Sequence, residues 1–246
     1  MKQPLNSTEY AIIVAGGKGT RIKSSVPKQF IELNGVPIII HTLNAFVRYS
    51  RQIQIILVLP EDDINTWEEI AKRHSHHIIL PATPMAIQTG GETRFQSVKR
   101  GLQKIHGEGL VAIHDGVRPL ISGHIIGASF RIAAVNKSAV AAVRLKESIR
   151  IIDPRPENAG KSTATEDNTK AMDRSRFRLI QTPQTFDVAT IKKAYETNDD
   201  PSLTDDASVA ERAGLVISLF EGSYENIKVT TPEDLVVAAA LLNARK

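Results

Sequence analysis

Tyr10-Ala-Ile-Ile-Val-Ala15, followed at once by Gly16-Gly-Lys-Gly-Thr-Arg21, is the stretch that decides the fold. The first half is apolar without interruption and rich in β-branched residues, as a strand covered on both faces has to be. The second half carries three glycines and two cations where a strand gives way to a loop. Continuously apolar strands belong to parallel sheets flanked by helices, and such sheets bind ligands beyond the carboxyl ends of their strands. Three glycines let the backbone approach a phosphate closely and aim several N–H groups at it, and Arg21 with Lys28 in Val26-Pro-Lys-Gln29 adds formal charge. The Gly-Lys-Ser/Thr ending of a P-loop is missing. A dinucleotide fingerprint also fails, because the position of its third glycine falls on Ile22.

Outward from that loop, short β-rich runs alternate with amphipathic stretches, the pattern of strands joined by crossover helices. Strands are expected at 10–15, 53–60, 77–80, 110–114, 139–144 and 216–220. Helices are expected at 38–49, 63–74, 93–105, 123–136, 188–197, 205–213 and 232–243. The expected fold is α/β and Rossmann-like, a mostly parallel central sheet flanked by helices, with residues 1–246 forming a single domain. Residues 146–178 break the alternation with a polar stretch rich in Pro, Glu, Gly and Lys between Glu147–Asp153 and Phe177–Ile180. They read as a long two-stranded β-arm. A lone hairpin is marginal in water, so a second copy of the chain is its simplest support.

Bulk composition narrows the function. The chain has 246 residues and no cysteine, which excludes disulfides, thiolate catalysis and zinc–thiolate sites. Lys plus Arg is 31 against 27 for Asp plus Glu, a net charge of +4 that favours anionic ligands. That excess is too mild to indicate nucleic acid, and no cationic run is interleaved with aromatics. The polar segment 1–9 leads into only a short apolar run, so a cytoplasmic protein without a membrane anchor is expected.

Three further motifs bear chemistry. Gly90-Gly-Glu-Thr-Arg-Phe-Gln-Ser97 opens a helix; it is either a pocket for the edge of a base or a glycine turn with an N-cap. Ile113-His-Asp-Gly-Val-Arg-Pro119 ends an apolar strand and puts Asp115 where a divalent cation bridging nucleotide phosphates would be held. Arg118 would hold an acceptor's phosphate or brace the loop, and a structural Arg–Asp pair in a turn is the plainer alternative. Glu225-Asn-Ile-Lys-Val-Thr-Thr-Pro-Glu-Asp234 combines a helix start at Thr231 with Lys228, which is either a cation delivered into a cleft or a surface lysine. His74-Ser-His-His77 reads as a solvated helix end, and Thr204-Asp-Asp206 as a helix cap whose loop could line an acceptor pocket.

In this order, with Gln181-Thr-Pro-Gln184 and Thr204-Asp-Asp-Ala-Ser208 between them, these motifs resemble the 2-C-methyl-D-erythritol 4-phosphate cytidylyltransferases of the non-mevalonate isoprenoid pathway, from about Tyr10 to the last helix. The resemblance implies transfer of CMP from CTP to methylerythritol 4-phosphate. It implies nucleotide contacts at Ala15, Gly16, Gly17, Gly19, Gly91, Glu92, Arg94 and Ser97. Catalytic cations are implied at Arg21, Lys28, Arg174 and Lys228, and acceptor contacts at Asp115, Arg118, Ser148, Arg174 and Lys228. It further implies Mg²⁺ or another divalent cation at Asp115, and a homodimer in which Arg174 reaches the partner's site. The wording of the motif around Val117 also leans toward ribitol 5-phosphate cytidylyltransferases. A sugar 1-phosphate nucleotidyltransferase and a non-catalytic nucleotide-binding module are the remaining alternatives; the presence of Arg21, Lys28 and Lys228 favours catalysis.

Overall fold

The computed structural model describes residues 7–16, 26–153 and 168–245. Its main sheet has seven strands in the order β11-β7-β10-β6-β1-β4-β5. In chain order these are β1 (Glu9–Val14), β4 (Gln54–Leu59), β5 (Ala86–Thr89), β6 (Leu110–Asp115), β7 (Ser138–Arg144), β10 (Arg178–Asp187) and β11 (Leu219–Glu221). All adjacent pairs run parallel except those made by β10, which is antiparallel to both β6 and β7. The short strands β2 (Glu32–Leu33) and β3 (Val36–Pro37) pair with each other, as do β8 (Ile149–Asp153) and β9 (Asn168–Met172). Among the described residues, seven α-helices flank the sheet: α1 (Ile38–Tyr49), α2 (Glu61–Arg73), α3 (Arg94–Gln103), α4 (Gly123–Asn136), α5 (Val188–Ala194), α6 (Asp206–Arg212) and α7 (Pro232–Asn243).

The period of two along each strand sorts its side chains into two layers. Ala11 and Ile13 of β1, with Ile55 and Leu57 of β4, face α1, α2 and α4 through Phe46, Trp67 and Phe130. Tyr10 and Ile12 of β1, with Ile56 and Val58 of β4, face α3, α5 and α6 through Phe95, Ile191 and Val209. Apolar groups are therefore needed at every position from Tyr10 to Val14 of β1, which is why that run shows no alternation. A third cluster of Leu33, Ile38, Val117, Leu120, Val229 and Ala238 seats α7 beside the end of β6.

From β1 the chain moves to β4 and β5 on one side, then returns past β1 to β6 and beyond. The strand order reverses between β1 and β6, and the crevice at their carboxyl ends is where a ligand fits in an open α/β sheet. Val14 and Asp115 stand side by side there, with Gly116 N donating to Val14 O at 2.8 Å.

Several expectations need correction. Residues 77–80 are not a strand: the backbone there bonds to a side chain, with Asn44 Nδ2 donating to His77 O at 2.7 Å and Ile79 N donating to Asn44 Oδ1 at 2.8 Å. The strand beside β4 is β5. Helix α2 begins at Glu61 and puts Glu61, Asp62 and Asp63 in its first turn, beside the positive end of its dipole. The strand that pairs with β8 is β9, within the polar stretch, whereas Arg178–Ile180 belongs to β10. The strand expected at 216–220 is β11, Leu219–Glu221.

Candidate active site

A cleft of about 910 Å³ opens at the crevice between β1 and β6. Ala15, Gly16, Lys28, Gly91, Glu92, Arg94, Ser97, Asp115 and Lys228 line it, together with Thr93, Val117, Asp62 and Asp63. Most of the residues singled out along the sequence thus converge on one volume. Gly17, Gly19 and Arg21 lie outside the described residues. Asp62 and Asp63 were not anticipated; they enter because Pro60 turns the chain straight from β4 into α2.

The glycine pair is held by α3. Gly90 N donates to Leu59 O at 2.7 Å, and Gly91 N donates to Ser97 Oγ at 3.0 Å. A Cβ on Gly91 would stand 2.3 Å from Cβ of Gln96, so no side chain fits. Thr93 caps α3 by accepting from Gln96 N at 3.1 Å. The loop is therefore the N-capped glycine turn of the two alternatives and also lines the cleft, and Ser97 serves it through Gly91. Across the cleft, Lys28 begins a single helical turn in which Gln29, buried, donates to Asp63 Oδ2 at 2.6 Å.

Asp115 is the electrostatic centre. Its Oδ2 lies 3.1 Å from Arg118 Nε and 3.2 Å from Lys228 Nζ, and its Oδ1 lies 3.7 Å from Arg94 Nε. Burial by itself would raise the Asp115 pKa, but Arg94, Lys228 and Arg118 outweigh burial and hold the carboxyl well below its ordinary range. Its backbone N–H donates to the hydroxyl of Thr182 on β10 at 3.1 Å. That hydroxyl also pairs with His114 Nδ1 at 2.9 Å, and burial above all holds His114 neutral, down to about 3.

The cations divide by placement. Lys228 faces the cleft from an irregular segment; the following residue anchors it, Val229 N donating to Val117 O at 2.9 Å. Arg118 is turned inward, spanning Asp115 and the backbone carbonyl of Asn226 at 2.8 Å, and so takes the bracing role rather than the lining one. Arg94 lines the cleft while both its terminal nitrogens donate to Asp206, at 2.8 and 2.6 Å. Burial opposes the Arg94 charge, but Asp206 and then Asp115 more than offset it, so its pKa is raised. Removing one partner of such a buried pair typically costs about 3–5 kcal/mol. Ser148 and Arg174 do not line the cleft of their own chain; Arg174 donates to the carbonyl of Lys146.

Comparison with known proteins places these features in a family context. Residues 10–244 match the family described as IspD, 2-C-methyl-D-erythritol 4-phosphate cytidylyltransferase. The 2-C-methyl-D-erythritol 4-phosphate cytidylyltransferase of Bacteroides fragilis is 44% identical over 232 residues, 94% of this chain and 98% of that protein. Its Porphyromonas gingivalis counterpart is 41% identical over 98% of this chain and 100% of its own. Among solved structures, the 4-diphosphocytidyl-2C-methyl-D-erythritol synthase of Anaerococcus prevotii superposes with a TM-score of 0.77 at 28% identity, covering 96% of each chain. The 2-C-methyl-D-erythritol 4-phosphate cytidylyltransferase of Thermus thermophilus superposes with a TM-score of 0.70 at 26% identity, covering 97% of this chain and 100% of the other. Among the described residues, no helix is long and apolar enough to cross a membrane.

Proposed function

Because the chain belongs to the 2-C-methyl-D-erythritol 4-phosphate cytidylyltransferase family, we propose that its cleft transfers CMP from CTP to methylerythritol 4-phosphate, a step of isoprenoid precursor synthesis. The observation that carries the proposal is the juxtaposition, in one cleft, of Gly16, Gly91, Lys28, Lys228 and an ionised Asp115. An oxygen of the acceptor's phosphate attacks the α-phosphorus of CTP in line. The new O–P bond forms as the bond to the β-phosphate oxygen breaks, and pyrophosphate leaves with that electron pair. The attacking phosphate is already ionised, so no general base and no covalent enzyme intermediate are required.

What remains for the protein is positioning and neutralisation of charge. Gly16, Gly91 and the α3 loop hold the nucleoside end of CTP. Lys28 faces the α-phosphate, and Lys228 faces the acceptor beside Asp115. A divalent cation would find in Asp115 the ionised carboxylate that a hard-cation ligand requires, with Arg94 Nε 3.7 Å from its Oδ1. Asp115 would hold Mg²⁺ together with the triphosphate, and the ion would supply neutralisation of the phosphates.

Arg174 of a second copy would supply a further cation at the acceptor end of the cleft. Exposed Ile151 and Ile152 on β8 and Leu179 on β10 support a homodimer, since burying them against a twofold mate would remove apolar surface from water. A cytoplasmic location belongs to the same proposal, CTP and a polyol phosphate being soluble intracellular metabolites.

The test is pyrophosphate release from CTP with methylerythritol 4-phosphate, ribitol 5-phosphate or a sugar 1-phosphate, each with Mg²⁺ and with excess chelator. Release with methylerythritol 4-phosphate and Mg²⁺ alone is expected. Preference for another acceptor would overturn the substrate assignment, and full activity in chelator the metal.

A further inference from the structure

Thr204-Asp-Asp206 holds two adjacent aspartates where a helix cap needs one. Asp205 is the cap: its carboxylate accepts from Ser208 N at 2.8 Å and its other oxygen accepts from Gln184 at 2.9 Å. Asp206 points the other way and is fully buried. Its carboxylate receives both terminal nitrogens of Arg94 and the hydroxyl of Tyr195, the last at 2.6 Å. Phe95 stacks on Tyr195 at a centroid distance of 4.8 Å, so the ring that carries this hydroxyl is itself fixed. Asp199, upstream of α6, accepts from Thr93 and Gln96 on either side of Arg94. The segment leading into α6 therefore clamps the start of α3 from behind the cleft.

The charges alternate in a line: Asp206, Arg94, Asp115, then Lys228 and Arg118. Two carboxylates compete for Arg94. The bidentate pairing with Asp206 wins, holding the guanidinium at 3.7 Å from Asp115 rather than in contact with it. We infer that Asp206 is a positioning residue for the transfer reaction proposed above: by engaging the fork of Arg94 it leaves the Asp115 carboxylate to Arg118, Lys228 and the substrates. Without Asp206, Arg94 has one carboxylate left within reach, and closes on Asp115. The inference rests on the reading of the cleft as a cytidylyltransferase site. It gives Arg94 a duty different from direct nucleotide binding, because both its terminal nitrogens are engaged by Asp206.

Steady-state kinetics separate this duty from a merely structural one. Asp206→Asn, Tyr195→Phe, Arg94→Met and the double variant Asp206→Asn with Arg94→Met would be compared per folded enzyme, with melting temperature followed in parallel. Asp206→Asn is expected to lower kcat about tenfold while KM for CTP changes less than about twofold. Tyr195→Phe, which removes only a hydroxyl and keeps the stacked ring, is expected to lower the same parameter by a smaller factor. Adding Asp206→Asn to Arg94→Met should leave kcat within about twofold of Arg94→Met alone, since Asp206 acts through Arg94. Wild-type kcat in both Asp206→Asn and Tyr195→Phe, or losses that multiply in the double variant, would overturn the inference in an active parent enzyme. A parent that released no pyrophosphate from CTP would overturn the functional reading itself, and this inference with it.

Discussion

Nζ of Lys228 lies 3.2 Å from Oδ2 of Asp115, an ion pair that joins the segment before α7 to the end of β6 and leaves the lysine facing the cleft. The contact resolves the choice between a surface lysine and a cleft cation, because the anchor at Val229 delivers the side chain inward. It also ties the charge on one wall of the cleft to the carboxylate on the other.

Lys28→Ala and Lys228→Ala should each lower kcat by roughly a hundredfold, about 3 kcal/mol of transition-state stabilisation. KM for CTP should move much less, because the Lys28 charge matters most as the α-phosphate gains negative charge and Lys228 faces the acceptor rather than CTP. Initial rates over a CTP titration decide the point. A rise in KM with unchanged kcat would assign the lysines to ground-state binding instead.

Gly91→Ala should raise KM for CTP at least tenfold and leave the melting temperature within a few degrees. The added Cβ would meet Gln96 at 2.3 Å, so the loop has to move and its bond from Gly91 N to Ser97 is lost. Calorimetric CTP binding indistinguishable from that of the parent would remove this loop from the nucleotide site.

Asp234 accepts from Thr230 N and Thr231 N at 2.8 Å each, ahead of α7. Burial alone would raise its pKa; these bonds, and that from the Thr230 hydroxyl, outweigh burial and lower it. A depressed folded-state pKa means that the stability is fully present above the ordinary aspartate range and is lost as pH falls through the folded value. Asp234→Asn should therefore cost about 1 kcal/mol in urea unfolding at pH 7, and the gap from the parent should close on acidification below about pH 4. A gap independent of pH would mean that packing rather than charge is at issue.

Mixing Arg174→Ala chains with Lys28→Ala chains, each strongly impaired alone, should restore activity if Arg174 completes the partner's acceptor site. Both lesions can then fall in one pocket of a mixed dimer, leaving the other intact. Sedimentation of the parent as a fully active monomer, or no recovery despite proven subunit exchange, would contradict the shared site.

The sequence was most legible where burial and period agree. β1, β4 and β6 are apolar at nearly every position because both faces are covered, and α1, α4 and α7 have the bounds their amphipathic patterns predict. β10 was not legible. Gln181, Thr182, Gln184 and Thr185 are polar but buried, satisfied by partners such as Ser223, Asn226 and Asp205 that no local pattern identifies, and Pro183 interrupts the run where the pairing register shifts. Ile78 and Ile79 suggest a strand, yet their neighbourhood is anchored by the side chain of Asn44. Gly16, Gly91, Lys28, Asp115 and Lys228 could be read as neighbours in a cleft because each sits beside a strand end or a helix start. The Arg94–Asp206 pair could not be, since it spans 112 residues; the doubled aspartate was the only local hint.

The most direct test of cytidylyl transfer is ³¹P NMR of the parent chain incubated with CTP, Mg²⁺ and methylerythritol 4-phosphate. The predicted result is a new pair of mutually coupled diphosphate resonances that grows in step with pyrophosphate as the acceptor's monophosphate signal disappears. An unchanged CTP spectrum, or CMP and pyrophosphate appearing without the coupled pair, would contradict it.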